Sequence, residues 1–114
     1  DLVEGKRNGP GACGKTNGRI LIGGGWGGSL LLDEIEYFDS QNAGNAYSFG
    51  NLAQTAAYTC ASCNDTKAAW VGGYGGSRSN FQNIVTIDTA ANATDFGDYF
   101  VGIDSAGSCS GAPA

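Results

Sequence analysis

The sequence contains no histidine and no methionine, and only six of its 114 residues are lysine or arginine. Without histidine, the common hydrolytic triads lack their base and the usual zinc sites lack a frequent ligand. The net charge of −5 also argues against a nucleic-acid surface, because phosphate binding requires clustered cations. No apolar run approaches the roughly 20 residues of a membrane-spanning helix. We therefore expect no enzyme activity, no metal or cofactor, no nucleic-acid partner and no membrane insertion.

Four of the six cations lie among the first nineteen residues, at Lys6, Arg7, Lys15 and Arg19. This spacing is more typical of a solvated face than of a basic binding patch. The chain also begins at Asp1 and has no methionine, which indicates a processed product or a fragment of a longer protein.

Twenty glycines punctuate the chain, and their spacing shows an internal repeat. Residues 1–50 form one copy, residues 51–97 form a second, and residues 98–114 open a third. The landmarks follow the same order in both full copies: Leu2 aligns with Leu52, Cys13 with Cys63, Gly23-Gly24 with Gly72-Gly73, Ile35 with Ile84, Asn45-Ala46 with Asn92-Ala93, and Phe49 with Phe96. The order indicates one structural unit used repeatedly.

Each copy contains four short stretches suited to β-strands, separated by turn residues. In the first copy they are 9–13, 19–22, 34–38 and 45–49, and in the second they are 59–63, 68–71, 83–87 and 92–96. Four strands in about fifty residues are typical of a β-propeller blade. The sequence thus predicts an all-β protein of two to three four-stranded antiparallel blades, forming one domain or part of a larger propeller.

The pattern of a hydrophobic strand, a Gly-Gly pair, a polar loop and a strand ending in an aromatic residue and Asp resembles the kelch repeat. Phe49 and Phe96 stand roughly where kelch repeats carry a late tryptophan. The run 92–98, Asn-Ala-Thr-Asp-Phe-Gly-Asp, is similar to a phrase in the degenerate kelch-like repeats of bacteriophage structural proteins. The resemblance covers nearly the whole chain and implies a virion or extracellular location.

Two glycine-rich motifs formally match nucleotide-binding patterns. Residues 9–16 match the phosphate-binding P-loop, but no buried strand is predicted before them and no helix after them. Gly23, Gly25 and Gly28 have dinucleotide-binding spacing, but the matching cluster in the second copy leads into a strand. Glycine turns explain both motifs better, and we assign the structural turns to Gly23, Gly24, Gly72 and Gly73.

The four cysteines are predicted to be free thiols. Cys13, Cys63 and Cys109 align in the repeat, and equivalent positions of adjacent blades usually lie too far apart for a disulfide. A disulfide between Cys60 and Cys63 is the remaining alternative. Carboxylates at Glu34 and Glu36 lie two residues apart on a predicted strand and favour a solvated sheet edge.

Aromatic residues beside the glycine turns are the candidate ligand-binding groups. Trp26 and Tyr74 occupy the same turn in the two copies, where exposed rings could contact a sugar face, although packing between blades would also explain them.

Two complete repeats cannot close a ring, so further blades or further copies of the chain must cover their exposed faces. The leading hypothesis is a non-enzymatic virion structural or attachment module of a phage tail, fibre or capsid appendage, with other virion proteins as partners. The alternatives are a small oligomeric propeller lectin that binds a carbohydrate, such as a host surface glycan, and a self-assembling extracellular fibre subunit.

Overall fold

The computed structural model describes residues 1–16 and 18–110. The final four residues of the predicted third copy lie outside this range. Ten strands are formed: β1 (Gly11–Gly14), β2 (Arg19–Gly23), β3 (Trp26–Gly27), β4 (Leu30–Leu31), β5 (Glu34–Asp39), β6 (Tyr47–Asn51), β7 (Cys60–Cys63), β8 (Lys67–Tyr74), β9 (Arg78–Thr86) and β10 (Thr94–Ile103).

The strands form two four-stranded antiparallel sheets and one small hairpin. Sheet I has the order β1-β2-β5-β6, and sheet II has the order β7-β8-β9-β10, so strands that follow one another within each repeat are neighbours in space. The prediction of an all-β protein with four-stranded antiparallel sheets is confirmed.

Several strand bounds differ from the prediction; β9, for example, begins at Arg78 and not at residue 83. Three differences have a clear physical reason. β1 begins at Gly11 because Gly9 has a φ of 65°, which is incompatible with an extended strand. The two-stranded hairpin of β3 and β4 was not predicted, since two-residue strands leave no periodic signal. β10 runs through the repeat boundary predicted between residues 97 and 98, and its pairing with β9 is interrupted by register shifts near Gly97.

The core lies between the two sheets. Leu21, Ile35 and Phe49 of sheet I and Trp70 and Val85 of sheet II belong to one buried cluster. The largest of these side chains, Trp70, is fully buried and packs where sheet I has only glycine: a Cβ atom at Gly11 or Gly23 would lie 2.8 Å from the indole. The two glycines thus provide the space that allows a tryptophan to pack between the sheets.

A backbone ladder links the two full copies and the opening of the third. Asn8, Tyr58 and Ser105 have φ values of 58°, 54° and 52°, unusual for residues other than glycine. The Tyr58 N–H donates to the Asn8 carbonyl at 2.9 Å, and the Ser105 N–H donates to the Tyr58 carbonyl at 3.0 Å. Equivalent residues of successive copies therefore bond directly to one another.

Matching hydrogen bonds fix which residues are equivalent. The Lys15 N–H donates to the Arg19 carbonyl at 3.1 Å, and the Asn64 N–H donates to the Lys67 carbonyl at 3.0 Å. By this register Arg19 corresponds to Lys67 and Cys13 corresponds to Ser62. The predicted alignment of Cys13 with Cys63 is therefore shifted by one residue in the structure.

Candidate functional site

Trp26 and Tyr74 occupy equivalent positions in the two repeats. Trp26 exchanges backbone hydrogen bonds with Arg7, at 2.8 and 3.0 Å, and Tyr74 does the same with Ala57, at 2.7 and 2.9 Å. Each bridge joins the glycine turn to the opening segment of the same repeat. The structure therefore gives the two residues the same backbone pairing on different sheets.

The surroundings of the two rings differ. Trp26 is half-buried, and its indole Nε1 is buried without a hydrogen-bond partner. Tyr74 is exposed at the end of β8. The Trp26 side chain is therefore the more buried of the two, although Tyr74 is itself only 36% exposed.

Two consecutive glycines with positive φ occupy equivalent positions in each repeat, but only the first pair lies between strands; Gly72 and Gly73 lie inside β8, at a register shift in its pairing with β9. Gly24 and Gly25 have φ values of 73° and 103°, and Gly72 and Gly73 have values of 62° and 119°. Gly23 is instead the last residue of β2, where it pairs with Ile35. The turn of the first repeat thus lies one residue later than the sequence alignment placed it.

A buried carboxylate holds the opening segment of the first repeat. Glu36 is fully buried, accepts the Val3 N–H at 2.6 Å and the Glu4 N–H at 3.3 Å, and pairs with the equally buried Lys6 ammonium at 2.9 Å. The prediction of a solvated edge is wrong for Glu36, because β5 lies inside sheet I between β2 and β6.

The second repeat uses a neutral side chain for the same task. Asn83 is also buried, and its Oδ1 accepts the Ala53 N–H at 2.6 Å, as Glu36 accepts that of Val3. The matching bonds make Asn83 the counterpart of Glu36, whereas the sequence alignment had placed Val85 there. A buried acceptor on the third strand of each sheet is therefore a shared structural feature.

The four cations near the N-terminus make separate contacts within the protein. Besides the pairing of Lys6, the Arg7 guanidinium donates to the Gly28 carbonyl at 2.8 Å. Lys15 forms an ion pair with Asp88 at 2.7 Å. The Arg19 guanidinium donates to the Ile87 carbonyl at 3.2 Å and lies 4.3 Å from the Tyr37 ring centroid. Lys15 and Arg19 thus link the repeats.

Both nucleotide-binding motifs lie in unsuitable surroundings. Part of the P-loop match, Gly11–Gly14, is strand β1, and its lysine is the partner of Asp88. The cluster from Gly23 to Gly28 leads into the β3–β4 hairpin, where a dinucleotide site would require a helix. Neither segment offers the helix N-terminus that would cradle a phosphate.

The described cysteines are all free thiols, but two of them meet. Cys13 on β1 and Cys63 on β7 face each other between the sheets, and the Cys63 Sγ donates to the Gly14 carbonyl at 2.9 Å. Burial is the larger cause, and the neighbouring Cys63 the smaller one, of a rise in the pKa of the Cys13 thiol to about 12. The expectation that Cys13 and Cys63 lie far apart at equivalent positions of their blades is wrong, because the one-residue shift points them toward each other.

The outer face of sheet II, which points away from sheet I, and strand β10 at its edge carry exposed apolar side chains that the sequence did not reveal. Phe96 is 64% exposed and Phe100 is 88% exposed, and Tyr99 and Val101 beside them are also exposed. A shallow hollow of about 310 Å³ lies on the same sheet, beside Ile84, Thr86 and Thr94. The exposed residues belong to β10, whose outer edge has no neighbouring strand within 1–16 and 18–110.

No family model matches the chain, and no curated protein is significantly similar to it. In the described part of the chain, no group of three or more potential metal ligands comes together. No helix in that part has the length and apolar character to cross a membrane.

Proposed function

We propose that the chain is a non-enzymatic structural module of a kelch-like propeller, in which a further sheet of the same kind packs on the outer face of sheet II. Such a module suits a virion or extracellular appendage used for assembly or attachment. The single observation that carries the proposal is the contrast between Phe49, which is 3% exposed, and its counterpart Phe96, which is 64% exposed.

The equivalence of the two phenylalanines rests on the hydrogen bonds that precede them. The Ala46 N–H donates to the Asp1 carbonyl at 2.8 Å, and the Ala93 N–H donates to the Asn51 carbonyl at 2.8 Å. Phe49 and Phe96 each follow three residues after these alanines. Phe49 is buried in the cluster that also contains side chains of sheet II, so an equivalent neighbour would bury Phe96.

The outer faces of the two sheets have complementary volumes. Inside the chain, Trp70 of sheet II packs on Gly11 and Gly23 of sheet I. The register of the repeats places Cys60 and Val71 on sheet II where sheet I has those glycines. It likewise places Ile22 on sheet I where sheet II has Trp70.

On a further sheet of this kind, Ile22 would take the place that Trp70 has inside the chain. It would pack against Cys60 and Val71 of sheet II, which are larger than the glycines that Trp70 meets. This exchange preserves the total volume that a packed interface needs. The outer face of sheet I supplies a suitable surface, so a second copy of the chain is one source of the missing sheet.

The residues that follow β10 support the same arrangement. The Ser105 N–H bonds to Tyr58 in the backbone ladder, and the Ser108 hydroxyl donates to the Ala61 carbonyl at 2.5 Å. This segment lies against β7 and its flanks, as the opening of the second repeat lies against the first. A third copy that begins with this segment would therefore lie on the outer side of sheet II.

We expect Phe96→Ser to weaken self-association by roughly 10- to 100-fold, since burial of a phenylalanine side chain stabilises an interface by about 1.5 to 3 kcal/mol. Sedimentation velocity over a concentration series measures the change. Leu30→Ser is the matched control, because Leu30 is also highly exposed but lies on the β3–β4 hairpin.

The size of the assembly distinguishes a closed ring of copies from an open fibre. A discrete oligomer indicates a closed ring, and an open polymer indicates a fibre, because a head-to-tail contact either closes or continues. Equal association of the wild type and both variants, or no association of the wild type at any concentration, would contradict contact between copies through this face.

A further inference from the structure

Cys13 and Cys63 form a thiol pair that bridges the two repeats. Strands β1 and β7 approach within 8 Å between Cα atoms, and both cysteines pack against the core cluster. The Cys63 Sγ reaches across to the carbonyl of Gly14, the residue next to Cys13, at 2.9 Å. A disulfide requires Cα atoms within about 7 Å of each other, so two adjacent strands with facing thiols need only a small approach to be bridged.

The other two cysteines are arranged differently. Cys60 lies three residues before Cys63 on the same strand, so its side chain points to the opposite face of sheet II. Its Sγ donates to the Val71 carbonyl at 3.5 Å. Cys109 is exposed and lines a shallow hollow of about 300 Å³ together with Cys63. Cys109 is therefore the competing partner for Cys63, and Cys60 is not.

We propose that Cys13 and Cys63 are a redox-sensitive pair, which a small disulfide oxidant such as oxidised glutathione converts into a covalent link between the repeats. The Cys63 thiolate attacks one sulfur of the oxidant, forming a mixed disulfide and releasing one glutathione thiolate. Cys13 then attacks the Cys63 sulfur and releases the second. Two protein thiols are oxidised, the oxidant is reduced to two thiols, and the two protons end on the released glutathione.

The order of attack follows from the environment of Cys13. Because burial and the neighbouring Cys63 raise the pKa of the Cys13 thiol to about 12, this thiol is almost entirely protonated at neutral pH. Cys13 therefore acts second, when the mixed disulfide on Cys63 has already brought the reactive sulfur beside it. We expect the rate of ring closure to increase by about tenfold per pH unit between pH 7 and 9.

The link would restrict the unfolded chain over the segment from Cys13 to Cys63. A disulfide that closes a loop of this length raises the unfolding temperature of a domain of this size by on the order of 10 °C, provided that the native geometry is retained. The oxidant would thus stabilise the contact between sheets I and II.

Incubation of the chain with oxidised glutathione, followed by proteolysis and mass spectrometry without reduction, tests the proposal. We expect a cross-linked species that joins the peptide containing Cys13 to the one containing Cys63, and a matching increase in unfolding temperature. Cys60→Ser is the matched control on the same strand and should retain the link, whereas Cys63→Ser should lose it.

A double variant, Cys60→Ser with Cys109→Ser, keeps only the proposed pair and removes any dependence on a destabilised Cys63→Ser protein. Loss of two hydrogens from this variant, reversed by a reductant, supports the proposal. Glutathione that stays attached to single cysteines, or a Cys63–Cys109 link as the main wild-type product, would overturn it. Either outcome leaves the proposed packing of a further sheet unaffected.

Discussion

Replacing Trp70 with alanine is expected to lower the free energy of unfolding by about 3 to 5 kcal/mol, the usual cost of removing a large buried aromatic side chain. The side chain is fully buried between the sheets, and its Nε1 donates to the Gly11 carbonyl at 3.0 Å. Urea denaturation followed by far-ultraviolet circular dichroism measures the loss. Trp26→Ala is the control, and we expect a smaller effect because Trp26 is only half-buried.

The converse change tests whether Trp70 and Gly23 fit each other. A Cβ atom at Gly23 would lie 2.8 Å from the indole, so Gly23→Val should itself destabilise the protein by about 1 to 3 kcal/mol. Combined with Trp70→Ile, it should cost less than the sum of the two single changes. In the double variant, valine at position 23 matches Val71, its counterpart in the second repeat, and isoleucine at position 70 matches Ile22, its counterpart in the first. Additive effects in this cycle would contradict direct packing between the two positions.

Removal of Lys6, the positive partner of Glu36 in the buried ion pair, is the second change expected to lower the stability strongly. Lys6→Ala should cost about 3 to 5 kcal/mol, because it leaves Glu36 charged and buried without a counter-ion. The Glu36 carboxylate would keep only its contacts with the backbone, including the Val3 N–H at 2.6 Å. Urea denaturation at neutral pH measures this loss, and Lys67→Ala on the exposed end of β8 serves as the control.

The second repeat shows how to reverse the loss. By the register that matches Val3 with Ala53, Lys6 corresponds to Ala56 and Glu36 corresponds to Asn83. The double variant Lys6→Ala with Glu36→Asn should therefore regain more than half of the stability lost in Lys6→Ala. If the second change instead added to the loss, the neutral acceptor of the second repeat would not be a substitute for the ion pair of the first.

The sheets were predictable from sequence because their signals recur. Arg19 to Ile22 and Glu34 to Phe38 are short β-prone runs bounded by turn residues, and both have counterparts about fifty residues later. The alignment gave the number and order of the main strands correctly. It could not place insertions of one residue, since glycines at neighbouring positions such as Gly23, Gly24 and Gly25 align equally well.

That one-residue uncertainty explains the errors in the candidate sites. In a strand, a shift by one residue moves a side chain to the opposite face. Cys63 therefore faces Cys13, although the aligned sequence made the two equivalent. Glu36 was misjudged for another reason: its place within sheet I depends on β6 pairing with β5, which the composition of β5 alone does not reveal. The outer face of sheet II could be identified only by comparing the burial of Phe49 and Phe96.

The ladder through Asn8, Tyr58 and Ser105 has a consequence for how such a protein could evolve. Its bonds join only backbone atoms, and three chemically unrelated side chains occupy the three steps. Duplication of the coding segment for one unit would supply a new step without any matched change elsewhere, and later drift among side chains that tolerate a positive φ would leave the step intact. The number of units can therefore change faster than the way in which successive units are joined.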